Sequence, residues 1–150
     1  MNDTAEIAGL DALQLHGVAD FAVLTCLRRP FLRALNPMPG QSASDVEAEI
    51  AALSTADTRP MAYLIDGYRA GEYGGSGVRA DWNLAHELAR RWPIMLAGGL
   101  NPDNVEAAIV AVSPIGVDVS SGVETDGMKD AAKIEAFVRR ARAAFASKNH

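Results

Sequence analysis

The sequence predicts an α/β fold in which strands and helices alternate along one domain. Three observations predict it. Five short apolar runs, each stopped by turn residues, recur along the chain. Stretches of helical periodicity separate them. The glycines and small polar residues that stand out lie just after the apolar runs. Near-continuous apolar strands of this kind are what a parallel sheet covered on both faces requires.

The strands are expected at Leu10–His16, Pro30–Leu35, Met61–Ile65, Pro93–Ala97 and Gly116–Ser120. The stretch before Leu10 reads as the tail of a helix. A short helix is expected over Ala19–Leu27. Ser44 and Glu47 have the spacing of a capping box opening a helix to about Leu53. Trp82, Ala85, Leu88 and Ala89 mark a helix over Trp82–Arg91. Asn101-Pro102 supplies an N-cap and a first-turn proline for a helix to about Val112. The last helix spans Asp130–Ala146, with Ile134, Phe137, Val138 and Ala141 on one face. Periodicity leaves two architectures open, a doubly wound sheet and part of a (β/α)8 barrel. In both, ligands bind at the carboxyl ends of the strands.

Composition narrows the function. The chain has 150 residues, 49% hydrophobic and 22% charged, with a net charge of −5. That acidity gives no basic face for nucleic acid. No apolar stretch approaches the 18 or so residues of a membrane span, and Met1–Gly9 has no signal-peptide pattern. A single cysteine cannot form an internal disulfide, so a reducing compartment, the cytoplasm, is expected. No His, Cys or Asp spacing suggests a metal site.

The residues that invite chemistry are Asp66, the loop Tyr73-Gly74-Gly75-Ser76-Gly77, the pair Gly98-Gly99, and the run Asp118-Val119-Ser120-Ser121-Gly122. Glycines and small hydroxyls at strand ends let backbone N–H groups approach an anion, although glycine pairs also serve plain turns. A carboxyl at a partly desolvated strand end suits a general acid, although a loop aspartate can equally cap nearby backbone. His16 reads as a hydrogen-bonded structural residue, His86 as a surface residue and Cys26 as a packing residue.

Longer motifs carry a resemblance. Leu10-Asp11-Ala12-Leu13-Gln14-Leu15-His16-Gly17, Leu64-Ile65-Asp66 with Tyr73 to Gly77 and Asp81-Trp82, Leu96-Ala97-Gly98-Gly99-Leu100-Asn101-Pro102, Gly116 to Glu124, and Lys129-Asp130 stand in order. Together they closely resemble phosphoribosylanthranilate isomerase of tryptophan biosynthesis, from about Gly9 to Phe145 and more weakly between Val18 and Pro60. The resemblance implies a TIM (β/α)8 barrel and a cofactor-free Amadori rearrangement of a sugar-phosphate substrate. By it, Asp66 matches the general acid that protonates the ribose ring oxygen. Gly98, Gly99, Ser120, Ser121 and Gly122 match phosphate-loop positions. Asp118 faces the same mouth, and Gly74, Gly75 and Gly77 match a loop over the site. Ala80 stands where an aromatic residue is usual.

The same resemblance makes the five βα units strands four to eight of the barrel, so residues 1–150 are expected to form a partial barrel domain. The family's first-strand cysteine, its general base, has no counterpart here. Neither does the second-strand arginine that holds the anthranilate carboxylate. Cys26 falls between strands four and five, and Arg28, Arg29 and Arg33 do not match the arginine's motif. By this resemblance the chain is about 60 residues short, and its 150 residues lie below the roughly 200 or more of a complete barrel. Weak or absent activity of the chain alone is therefore expected. Three sources of the missing strands that would pair its free sheet edges stand open: a second copy, a separate N-terminal segment of a split enzyme, or coding sequence upstream of Met1, which the position of Met1 inside an expected helix favours. The alternative is a non-catalytic fragment that binds a sugar phosphate or complements a partner. Neither reading calls for a metal, a cofactor, nucleic acid or a membrane.

Overall fold

The structure is a computed structural model that describes residues 1–17, 21–53, 59–67 and 79–148. Its elements follow in chain order: α1 (Asn2–Ile7), β1 (Leu13–Leu15), α2 (Phe21–Thr25), β2 (Phe31–Leu35), α3 (Ala43–Leu53), β3 (Ala62–Ile65), α4 (Trp82–Ala89), β4 (Ile94–Leu96), α5 (Val105–Val112) and β5 (Gly116–Val117). A single 3₁₀ turn (Ser121–Val123), a small hairpin of β6 (Glu124–Thr125) and β7 (Met128–Lys129), and α6 (Ala131–Ser147) complete the described chain.

The five strands form one parallel sheet in the order β1-β2-β3-β4-β5. That order argues against one of the two architectures left open. A doubly wound sheet reverses its strand order at a switch point, and this sheet never reverses.

Alternation divides the strand residues between two faces. Leu35, Tyr63, Ile65, Ile94 and Leu96 face the helices and build the main core with Val46 and Ile50 of α3, Leu84 and Leu88 of α4, Ile109 of α5 and Phe137 of α6. Each of these helices packs on the next, α3 on α4, α4 on α5 and α5 on α6. The Tyr63 and Trp92 rings meet edge to face, 5.8 Å apart. The opposite face carries a small cluster of Ala34, Leu64 and Ala97, with Met95 against it.

Several local expectations shift. The strands are shorter than the apolar runs. The box that opens α3 is Ser42 with Asp45: the Asp45 N–H donates to Ser42 Oγ (3.3 Å) and the Ser42 N–H to Asp45 Oδ2 (2.8 Å). Glu47 is drawn instead to Arg91 Nη1 (3.0 Å) and Trp92 Nε1 (3.3 Å). Asn101 accepts from the N–H groups of Asp103 and Asn104, but a turn over 102–104 precedes α5. On α6 the buried stripe is Phe137, Ala141 and Ala144, so Ile134 and Val138 are left about 40% exposed. Cys26 is exposed rather than packed. Asp126 and Gly127, both at positive φ (53° and 76°), form a two-residue primed turn between β6 and β7.

Candidate functional site

The site is built one residue beyond the strands. The Asp66 N–H donates to Leu35 O (3.1 Å), the Ala97 N–H to Ile65 O (2.8 Å) and the Asp118 N–H to Leu96 O (2.8 Å). The parallel ladder thus extends past β2, β3 and β4 and fixes all three positions in register. Alternation then turns Asp66 and Asp118 away from the helices. Asp66, Gly98, Gly99, Asp118, Ser120, Ser121 and Gly122 line one cleft. The sequence expected these seven residues at a common mouth, and the fold brings them together. Gly74, Gly75 and Gly77 lie outside the described residues.

Asp66 is 6% exposed. Its Oδ1 accepts the Gly67 N–H at 2.7 Å. Burial is the main reason its carboxyl is pushed above the ordinary aspartate range. The Gly67 hydrogen bond opposes this, the neighbouring Asp118 charge adds to it, and His16 opposes it. A carboxyl held in this way keeps its proton to higher pH, which suits a general acid.

Two loops form the other wall. Gly98 and Gly99 sit at φ 80° and 64°, a left-handed pair that residues with a Cβ rarely adopt. Asn104 Nδ2 ties this loop down at Gly99 O (2.9 Å). A Cβ on Gly122 would come within 1.7 Å of Leu100 O, so only glycine lets the two loops touch backbone to backbone. At Gly98, Gly99 and Gly122 the cleft wall is therefore main chain alone. Lys129 Nζ donates to Ser120 O (2.9 Å) from the far side.

The structure adds neighbours that the sequence did not single out. Asn36 Nδ2 reaches Gly67 O (3.4 Å) beside the acid. Asp66 also borders a second hollow of about 290 Å³, walled by the segment after β2 (Pro37 to Gln41) and by Arg79 and Asp81 at the start of α4. Loop residues that gather only in space leave no spacing signal in one sequence. His16 lies at the end of β1. Gln14 Nε2 lies 2.8 Å from its Nε2, and its Nδ1 is buried without a partner. His86 is exposed on α4. Among the described residues no group of His, Cys, Asp or Glu is arranged to hold a metal. No described helix is long and apolar enough to cross a membrane.

Residues 1–140 match the sequence model of N-(5′-phosphoribosyl)anthranilate isomerase. The chain belongs to this family. Its similarity to the isomerase of Roseiflexus castenholzii is 47% identity over 146 residues, covering 96% of this chain and 65% of that protein. The isomerase of Dehalococcoides mccartyi is 36% identical over 142 residues, again 65% of its length. The chain therefore spans about two thirds of the length of these relatives. Among solved structures, the isomerase of Thermotoga maritima superposes with a TM-score of 0.74 at 34% identity, covering 94% of this chain and 66% of that one. That of Pyrococcus furiosus gives 0.73 at 31% identity, with the same coverage. Another member of the family, similar at a TM-score of 0.70, was solved with reduced 1-(o-carboxyphenylamino)-1-deoxyribulose 5-phosphate bound.

Proposed function

We propose that this chain carries the acid and phosphate half of a phosphoribosylanthranilate isomerase site. The observation that carries the reading is the single cleft uniting a buried Asp66 with the Gly98-Gly99 and Ser120–Gly122 loops. The sugar phosphate enters with its phosphate against the two glycine-containing loops. Asp66 donates its proton to the ribose ring oxygen. The C1–O bond breaks, the anthranilate nitrogen supplies its lone pair, and a Schiff base forms. Removal of the C2 proton then gives the enol amine, which tautomerises to the 1-deoxyribulose product. No cofactor is needed, since the electrons move only within the substrate. The family names and the bound ligand of one relative support the substrate class.

The five strands correspond, in this reading, to strands four to eight of the barrel. The uninterrupted strand order and the 65% coverage of the relatives support it. Residues 1–150 then form a partial barrel domain working in the cytoplasm. The motif bearing the family's cysteine base is not found in these residues, nor is that of the carboxylate-binding arginine. Positioned acid–base groups contribute about 10²–10⁴-fold each, so this chain alone turns over slowly. Among the described residues β1 and β5 have no outer neighbour. A segment bearing further strands, or a second copy, fits those edges.

The test is twofold. Inorganic phosphate titrated into the chain is expected to shift the amide resonances of Gly99, Ser121 and Gly122. Phosphoribosylanthranilate is expected to be converted at a small fraction of an ordinary enzyme rate. A phosphate titration that leaves those amides unmoved sinks the site reading. Turnover at an ordinary rate sinks the half-site reading.

A further inference from the structure

Lys129 belongs to a motif that the resemblance singles out without giving it a task, and the fold gives it a place. It lies on β7, opposite Glu124 in the β6–β7 register. Its Nζ donates to three oxygens: Ser120 O at 2.9 Å, Ser120 Oγ at 3.4 Å and Glu124 Oε1 at 2.7 Å. Ser120 opens the loop whose next two residues, Ser121 and Gly122, line the cleft.

The hairpin that carries Lys129 is itself anchored. Thr125 Oγ1 donates to Asp130 Oδ2 (2.7 Å), and Asp130 caps α6 through the N–H groups of Ala132 and Lys133. The Asp130 N–H returns to Val123 O (2.9 Å). On the cleft side the same loop rests on Leu100 through Gly122. The loop is therefore clamped between a glycine contact in front and an ammonium behind.

We propose that Lys129 is a positioning residue for the anion loop. It holds the Ser120 carbonyl turned back toward the hairpin, so that the Ser121 and Gly122 backbone stays presented to the cleft. The inference rests on the phosphate-site reading and adds a residue to it. An exposed Lys–Glu pair by itself contributes little. The bond to a main-chain carbonyl is different: it is charge-assisted and it fixes a peptide orientation. Losing it frees the turn in which the Val123 N–H donates to Ser120 O at 3.4 Å.

The experiment compares the wild-type chain with Lys129→Met and Lys129→Arg. Amide exchange at Val123 is read without any anion, and inorganic phosphate affinity is read separately. Lys129→Met is expected to speed Val123 exchange and to weaken phosphate binding, each by about tenfold. Its melting temperature should stay within a degree or two of wild type, which a general packing role would not allow. Lys129→Arg, which keeps the charge and the donors, is expected to recover most of both effects. Unchanged exchange in Lys129→Met would overturn the proposal, as would a Lys129→Arg variant no better than Lys129→Met. A wild-type chain that takes up no phosphate would sink the anion-site reading instead, while the exchange measurement still decides the part played by Lys129.

Discussion

On the helix side of the sheet, Tyr63, Ile65, Ile94 and Leu96 are at most 1% exposed. On the opposite side, Gln14 is exposed, its register partner Leu32 is only partly buried, and so are Met95 and Gly116 further across the same face. One face is sealed by four helices, while the other holds only a small cluster around Leu64. The difference separates two jobs. Stability resides on the sealed face, where side chains interdigitate and water is excluded. The candidate site lies at the carboxyl rim of the other face, where Asp66 and Asp118 are turned away from the helices.

The largest expected effect tests that division directly. Leu96→Ala, on the sealed face, should lose about 2–5 kcal/mol of unfolding free energy, because it removes transfer energy and leaves a cavity. Leu32→Ala, on the open face, should lose less than about 1 kcal/mol, because its side chain is already partly in water. Urea titrations of the two variants read the difference. Equal losses would mean that the open face is packed in solution, as it would be against a second copy.

Both faces were legible in the sequence to different depths. The apolar runs ending at Ile65 and Ala97 mark strands, and the residue after each marks the rim, because a period of two is local information. Asp66, Gly98, Gly99, Asp118 and Ser120–Gly122 were found in that way and lie together. Strand order was not legible in the periodicity, since neighbours in a sheet share no spacing, and only the family resemblance implied it. The cap of α3 was misplaced by two residues because Ser42 and Ser44 each stand three residues before an acid, and only tertiary contacts of Glu47 with Arg91 and Trp92 choose between them. The Asp126-Gly127 turn was written plainly in residue types, but it sits in a hairpin too short to alternate. The bracing by Lys129 is invisible without it.

Arg33 breaks the pattern of the sealed face, being 4% exposed among apolar neighbours. One Nη donates to Gly17 O, while Nε and the other Nη are buried without partners. Burial pushes the guanidinium below its ordinary range, and the Glu49 charge opposes that shift. A buried charge so poorly satisfied contributes little net stability. Arg33→Met should therefore change unfolding free energy by no more than about 1 kcal/mol in chemical denaturation. A loss of about 3 kcal/mol or more would show that the guanidinium is fully paired in solution and that the sealed face depends on a buried ion pair.

The smallest effect belongs to the rim and carries a sign. Burial raises the Asp66 carboxyl above its unfolded value, with Asp118 adding to the shift. The folded state then holds this proton more tightly than the unfolded chain does. The stability linked to it is present below the unfolded pKa and is lost as pH rises through the higher folded value. Above the folded pKa the site carries a partly desolvated carboxylate that opposes folding. In melting curves taken across a pH series, Asp66→Asn, which can still accept the Gly67 N–H, should melt higher than wild type on the alkaline side of the folded pKa. The advantage should fade as pH falls through the folded pKa of Asp66, since the wild-type group is then neutral as well. The same substitution removes the acid, so any residual isomerisation should fall while the chain becomes more stable. A variant less stable than wild type throughout the series would place the ionised form among net stabilising partners such as His16, and Asp66 would then hold its proton too weakly to protonate a ring oxygen.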